Sequence, residues 1–185
     1  MVRVRCVPAQ IGERLVSGVE VLRTERLILR HLSEDDAPFI LQLLNEPGFI
    51  ENIGDRGVSD LDGARRYITE GQGASYQKYG YGLWATVLRD TGEAIGICGL
   101  VKRDGLEDAD IGYAFLQSSW GRGYAREAAT ATLDYARDVI GLTKVVAITK
   151  PSNAGSIAVL EKIGMKAAGM IKVPGYDDES AYFTT

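Results

Sequence analysis

Leu116-Gln-Ser-Ser-Trp-Gly-Arg-Gly-Tyr-Ala-Arg-Glu-Ala128 is the stretch on which the reading of this chain turns. It follows a run with strand character, Asp108-Ala-Asp-Ile-Gly-Tyr-Ala-Phe-Leu116. It leads into a helical pattern in which Ala125, Ala128, Ala129, Thr132, Leu133, Ala136, Val139 and Ile140 share one face, with Gly141 as the stop. A helix that starts directly after a glycine-rich turn presents N–H groups without partners and a partial positive charge. Glycines there let an anion approach the backbone closely, so the segment is built as a seat for a pyrophosphate. It is not the dinucleotide fingerprint, because G-x-G-x-x-G would place glycine where Arg126 stands, and no G-x-x-x-x-G-K-[ST] occurs in the chain.

Working outward, Thr143–Thr149 reads as a strand, Asn153–Ile163 as a helix stopped by Gly164, and Met165–Ile171 and Glu179–Thr184 as closing strands. Upstream, Tyr81–Leu88 and Ala94–Val101 form a hairpin around Arg89-Asp-Thr-Gly-Glu93. Leu27–Arg30 is a further strand, which brings the expected total to about seven. Ser33-Glu-Asp-Asp opens a helix to about Asn45 that Pro47-Gly48 ends. A second helix starts at the box Ser59-Asp-Leu-Asp62 and runs towards Lys78, with Gly63, Gly71 and Gly73 predicting a frayed second half. This order gives an α/β (α+β layered) domain over residues 22–185. Residues 1–21 form a leader, either a flexible arm or an added strand.

Composition excludes several functions. The chain has 185 residues, 45% hydrophobic and 25% charged, enough for one domain with a real core. Its formal net charge of -4 argues against nucleic acid as a partner, since no counterion release would drive binding. No apolar run is long enough to span a membrane, and the N-terminus lacks a secretory pattern, so the expected compartment is cytoplasmic. His31 is the single histidine and Cys6 and Cys98 stand apart, so no metal site is expected. Cys98 sits in an apolar run and reads as a buried small hydrophobe.

The Leu116–Ala128 segment resembles the acyl-CoA signature of the GNAT N-acetyltransferases, and its Trp120-Gly-Arg-Gly-Tyr-Ala125 wording is similar to the Rim-type branch (ribosomal-protein alanine N-acetyltransferase-like). Thr24-Glu-Arg-Leu-Ile-Leu-Arg30 resembles that branch's opening strand, Asp110-Ile-Gly-Tyr-Ala-Phe115 the strand before the CoA turn, and Asn153–Met165 the second CoA-contacting helix. The resemblance implies a GNAT fold, a mixed twisted sheet with helices on both faces. It also implies transfer of an acetyl group from acetyl-CoA to a primary amine: a protein N-terminal α-amine, an amino acid or another small amine. The enzyme would work as a monomer or homodimer. Two other readings stand beside it: a degenerate CoA-binding domain acting as sensor or scaffold, and a binding module for another phosphate ligand.

What the resemblance implies for single residues is specific. Backbone N–H groups over Arg122, Gly123, Tyr124, Ala125 and Arg126 take the pyrophosphate, with the Arg122 and Arg126 side chains near phosphates. Phe115, Leu116 and Gln117 offer a strand edge to the pantetheine amides. Asn153 takes a pantetheine contact, although a helix N-cap explains it equally. Leu160 occupies the position where many members carry a tyrosine that protonates the leaving thiolate, and Ser156, on the same helix turn as Asn153, is the substitute. Asp110 stands at the family's acidic position and is the expected base, against the plain alternative of a solvated charge at a strand end. Trp84, Tyr113 and Trp120 are candidates for the acceptor pocket or for the core.

Overall fold

The computed structural model describes residues 18–185. The expected leader lies outside the described residues except for its last four, of which Glu20 and Val21 already belong to the sheet. Eight strands form that sheet: β1 (Glu20–Arg23), β2 (Leu27–Arg30), β3 (Leu83–Leu88), β4 (Ala94–Val101), β5 (Ala109–Phe115), β6 (Val145–Thr149), β7 (Lys166–Ile171) and β8 (Ser180–Thr184). Their order is β1-β2-β3-β4-β5-β6-β8-β7. The strand beyond the expected seven is β1. β1 and β2 form a hairpin closed by Thr24, whose Oγ1 accepts from Leu27 N at 3.0 Å and whose N–H donates to Leu27 O at 2.9 Å.

All neighbouring strands are antiparallel except β5 and β6. That parallel pair holds for only two rungs, Ala109↔Val145 and Asp110↔Val146, and then separates. Helices α1 (Ala37–Asn45), α2 (Pro47–Asn52) and α3 (Leu61–Arg66) cover one face around Ile40, Leu43, Phe49, Val87 and Ile97. After α4 (Ala74–Tyr79), helices α5 (Tyr124–Tyr135) and α6 (Ala154–Lys162) cover the other, where Leu27, Leu29, Trp84, Ala128, Ala129 and Leu160 pack. Leu27 and Leu29 are fully buried, each contributing about 1.5–3 kcal/mol of hydrophobic stabilisation. Arg30 and Asp36, both buried, close a two-armed ion pair at 2.7 Å that fixes β2 to the start of α1.

Strand alternation decides which residues meet at the gap. In β5, Ile111, Tyr113 and Phe115 belong to the α5/α6 core, whereas Ala114 packs on the α1–α3 side. Asp110 and Gly112 therefore face α1–α3.

Local details differ from the sequence reading in instructive ways. Pro47 ends α1 but also starts α2, because its fixed φ suits the first helical position after Glu46 turns extended (φ -65°, ψ 138°). Asp60, not Ser59, caps α3, accepting from Gly63 N at 2.7 Å. The expected fraying is absent. The chain stays helical from Leu61 to Tyr79 through a widened turn over Tyr67–Gly73, which absorbs two of the glycines. A similar widening over Ala136–Ile140 swings Val139 off the buried face expected for it. Among the described residues no helix is long and apolar enough to cross a membrane.

Candidate active site

Separation of β5 from β6 opens a cleft of about 1050 Å³. Gly123, Arg126, Asn153, Ser156 and Leu160 line it from the α5/α6 side, and Phe49, Arg56, Tyr67, Arg103 and Tyr176 from the other.

The first wall is made largely of backbone. α5 begins after Gly123, which sits at φ +81°, a left-handed conformation that side chains disfavour, and no side chain caps this helix. α6 differs: Asn153 Oδ1 accepts from Ser156 N at 2.9 Å, so its first turn is already served. The uncapped N–H groups of α5, with Arg126 beside them on the cleft wall, fit a pyrophosphate. The turn is clamped from the β1–β2 hairpin. Glu127 accepts from Thr24 Oγ1 (2.6 Å), Arg26 N (2.9 Å) and Arg26 Nε (2.7 Å), while Arg26 Nη1 donates to the Arg122 carbonyl at 3.0 Å. Burial opposes the Glu127 charge, but those bonds and the Arg26 guanidinium hold its pKa below the ordinary range.

Three expectations on this wall need correction. The Arg122 side chain does not line the cleft; it lies over the Tyr124 ring, 5.6 Å from the centroid. Leu116 is buried in the α1–α3 core, and Gln117 stands off the wall with its N–H donating to Glu46 Oε2 at 2.8 Å. Both follow from the short helical turn Gln117–Ser119, which ends the strand edge one residue after Phe115. Phe115, Tyr124 and Ala125 do line the cleft, and the Phe115 carbonyl accepts from Trp120 Nε1 at 2.8 Å.

Asp110 stands where the strands part. It is 1% exposed, so the solvated-charge alternative is gone, but it lies behind the cleft lining rather than in it. Its Oδ1 accepts from Ile148 N at 3.2 Å across the opening gap, and its Oδ2 pairs with Arg103 Nε. Burial pushes the Asp110 pKa up to about 6, with the Arg103 charge and hydrogen bond pulling against it.

Of the three aromatic candidates for an acceptor pocket, Tyr113 and Trp120 line the cleft and Trp84 does not. Trp84 is 1% exposed in the α5/α6 core, edge-on to Tyr135 at 5.5 Å, and does not line the cleft. Tyr113 does, but from the α5/α6 side, its hydroxyl 3.0 Å from Ser156 Oγ and 3.2 Å from the Ser156 carbonyl. Burial raises the Tyr113 pKa, which the Ser156 bond partly offsets. Leu160 is buried beside this pair. Trp120 is half-exposed and lines the cleft.

Sequence reasoning missed Arg56, Tyr67, Gln72, Arg103, Tyr176 and the clamp residue Glu127. The first five lie on four different segments, Tyr67 and Gln72 sharing the widened helical turn, with no spacing that unites them. Glu127 had a weak signal, an acidic residue directly after the turn it holds.

The domain described as "Acetyltransferase (GNAT) domain" matches residues 26–166. Over 155 residues the chain is 36% identical to the uncharacterized protein YkkB of Bacillus subtilis (strain 168), covering 82% of this chain and 88% of the relative. It is 28% identical to the uncharacterized N-acetyltransferase p20 of Bacillus licheniformis, covering 83% of this chain and 86% of p20. Its fold is similar to the crystal structure of an acetyltransferase from Agrobacterium tumefaciens str. C58, with a TM-score of 0.77 and 29% identity over 94% of this chain and 98% of that one.

Proposed function

Since this chain belongs to the GNAT family and is an acetyl-CoA-dependent acetyltransferase, we propose that it acetylates a primary amine by direct attack of the nitrogen on the thioester. Acceptors are a protein N-terminal α-amine, an amino acid or another small amine. The observation that carries the reading is the cleft at the parting of β5 and β6, with the uncapped start of α5 on one wall and Asp110 buried where the two strands separate. The Trp120–Ala125 wording supports the Rim-type branch. The same reading makes the protein a cytoplasmic monomer or homodimer.

Bound acetyl-CoA supplies an acetyl group already activated as a thioester. The backbone N–H groups of Gly123 to Arg126 and the Arg126 guanidinium hold its pyrophosphate. Asn153 Nδ2 remains for pantetheine, since the cap uses only Oδ1. Removing a proton at neutral pH costs roughly 4–5 kcal/mol for a lysine-like amine but roughly 1 for an α-amine near 8. Asp110, whose buried carboxylate does not itself line the cleft, takes that proton through water. At about 6 its pKa roughly halves the gap between an ordinary carboxylate and such an amine. On the opposite side Ser156 Oγ gives a proton to the departing sulfur and regains one from solvent, while the Tyr113 hydroxyl, 3.0 Å away, holds Ser156 in place. The two proton tasks thus fall on opposite faces of the sheet.

Acetyl-CoA and a panel of primary amines, followed by thiol release, test this. Release with at least one amine, matched by acetylated product in mass spectrometry, is expected. Tight acetyl-CoA binding with no amine-dependent release overturns it.

A further inference from the structure

The protein is net acidic, at -4, yet its cleft is cationic. Arg56, Arg103, Arg126, Lys150 and Lys162 line it, and among the described residues no aspartate or glutamate does. Arg126 and Lys162 sit on α5 and α6, beside the seat assigned to phosphates. Arg56 and Arg103 lie on the other side. Arg56 follows α2, and Arg103 follows β4 and reaches Asp110.

Arg103 is held rigidly. Its Nε pairs with Asp110, its Nη1 donates to Tyr176 Oη at 2.7 Å, and Nη2 has no protein partner among the described residues. Arg56 is exposed and has no carboxylate partner among them. Both charges reach the Tyr67 phenol between them: burial raises its pKa, while Arg56, Gln72 and Arg103 pull it down. A guanidinium fixed on two sides with one edge open matches a carboxylate or phosphate oxygen, and a second, exposed guanidinium adds its charge beside it.

We propose, resting on the acetyl-transfer reading above, that Arg103 and Arg56 hold the anionic group of the acceptor, and that the acceptor is a small primary amine carrying a carboxylate or phosphate near its nitrogen. Such a molecule sets its anion against the two arginines, which line the cleft. A polyamine or an aminoglycoside brings several positive charges to a wall that has two and no exposed carboxylate to receive them, which in a partly buried site is repulsive. Phe49, Leu83 and Val101 beside these groups leave apolar surface for a short hydrocarbon body.

The test compares kcat/KM for thiol release across matched amines: free L-amino acids against their α-carboxamides, phosphoethanolamine against ethanolamine, and spermidine and kanamycin as polycations. The best anionic amine should exceed its neutral partner at least tenfold, about 1.4 kcal/mol. Whether a carboxylate or a phosphate leads identifies the anion. Arg56→Gln should erase that preference through KM, with acetyl-CoA affinity unchanged in titration calorimetry. Three results overturn the proposal while leaving acetyl transfer standing: neutral or polycationic amines turned over as well or better, turnover of peptide N-termini but of no free anionic amine, or a preference that survives both Arg56→Gln and Arg103→Lys. Absence of release with every amine instead removes the acetyl-transfer reading itself.

Discussion

The two walls of the cleft are built by different means. The wall assigned to CoA comes from one contiguous segment, Phe115 to Arg126, plus the first turn of α6, and much of what it offers is backbone. Its key feature is a helix start left uncapped, with Glu127 and Arg26 holding the turn from behind. The opposite wall is made of side chains delivered singly by α2's trailing loop, the widened helical turn at Tyr67, the loop after β4 and the loop before β8. A ligand that never varies can be met by a local backbone conformation, which one short sequence specifies. A ligand that sets specificity is met by side chains whose meeting depends on the whole fold.

The largest expected effect tests the buried carboxylate behind the side-chain wall. Asp110→Asn should lower kcat by roughly 10²–10⁴, the usual worth of positioned proton transfer, and leave acetyl-CoA binding intact. In the wild type kcat/KM should rise with pH through about 6 as Asp110 loses its proton. The substituted enzyme should lack that limb, and its deficit should shrink at high pH where the amine is already neutral. Comparable kcat at pH 7 under saturating amine contradicts the assignment and makes the wall one of orientation only.

Next comes the backbone wall. At φ +81° Gly123→Val imposes strain of about 1–3 kcal/mol and pushes a branched side chain against the approach to the N–H groups. CoA affinity should fall at least tenfold, about 1.4 kcal/mol, with the fold retained by circular dichroism. Unchanged affinity in calorimetry places the pyrophosphate elsewhere.

Tyr113→Phe should be milder, since it removes one hydrogen bond behind Ser156. A two- to tenfold loss in kcat is expected from about 0.5–1.5 kcal/mol, with the CoA dissociation constant unmoved. Smallest of all is the catalytic effect of Trp84→Phe. Its indole is core and off the cleft, so melting temperature should drop while KM for the acceptor stays put; a shifted KM would return Trp84 to the pocket.

Much of the fold was legible because its signals are local. The hairpin around Arg89–Glu93, the start of α5 and the stop at Gly141 each rest on a glycine in a turn, and all three stand as read, with Gly92, Gly123 and Gly141 at positive φ. Where the reading slipped, a second interaction competed with the local one. Asp60 took the helix cap from Ser59, and widened helical turns replaced fraying near Gly71 and rotated Val139 outward.

By itself the sequence determined the family, the place of the glycine-rich turn before α5 and the acidic group on β5. Each of these is written in consecutive residues with a fixed spacing. Only the tertiary structure decided which face each candidate serves. A strand sends neighbours to opposite sides, so Asp110 and Tyr113, three residues apart, face α1–α3 and α5/α6 respectively, and Trp84 points into the core. Only the fold, too, brought Arg56, Tyr67, Arg103 and Tyr176 to one place. Their proximity arises from packing between segments distant along the chain, and no spacing within any one of them records it.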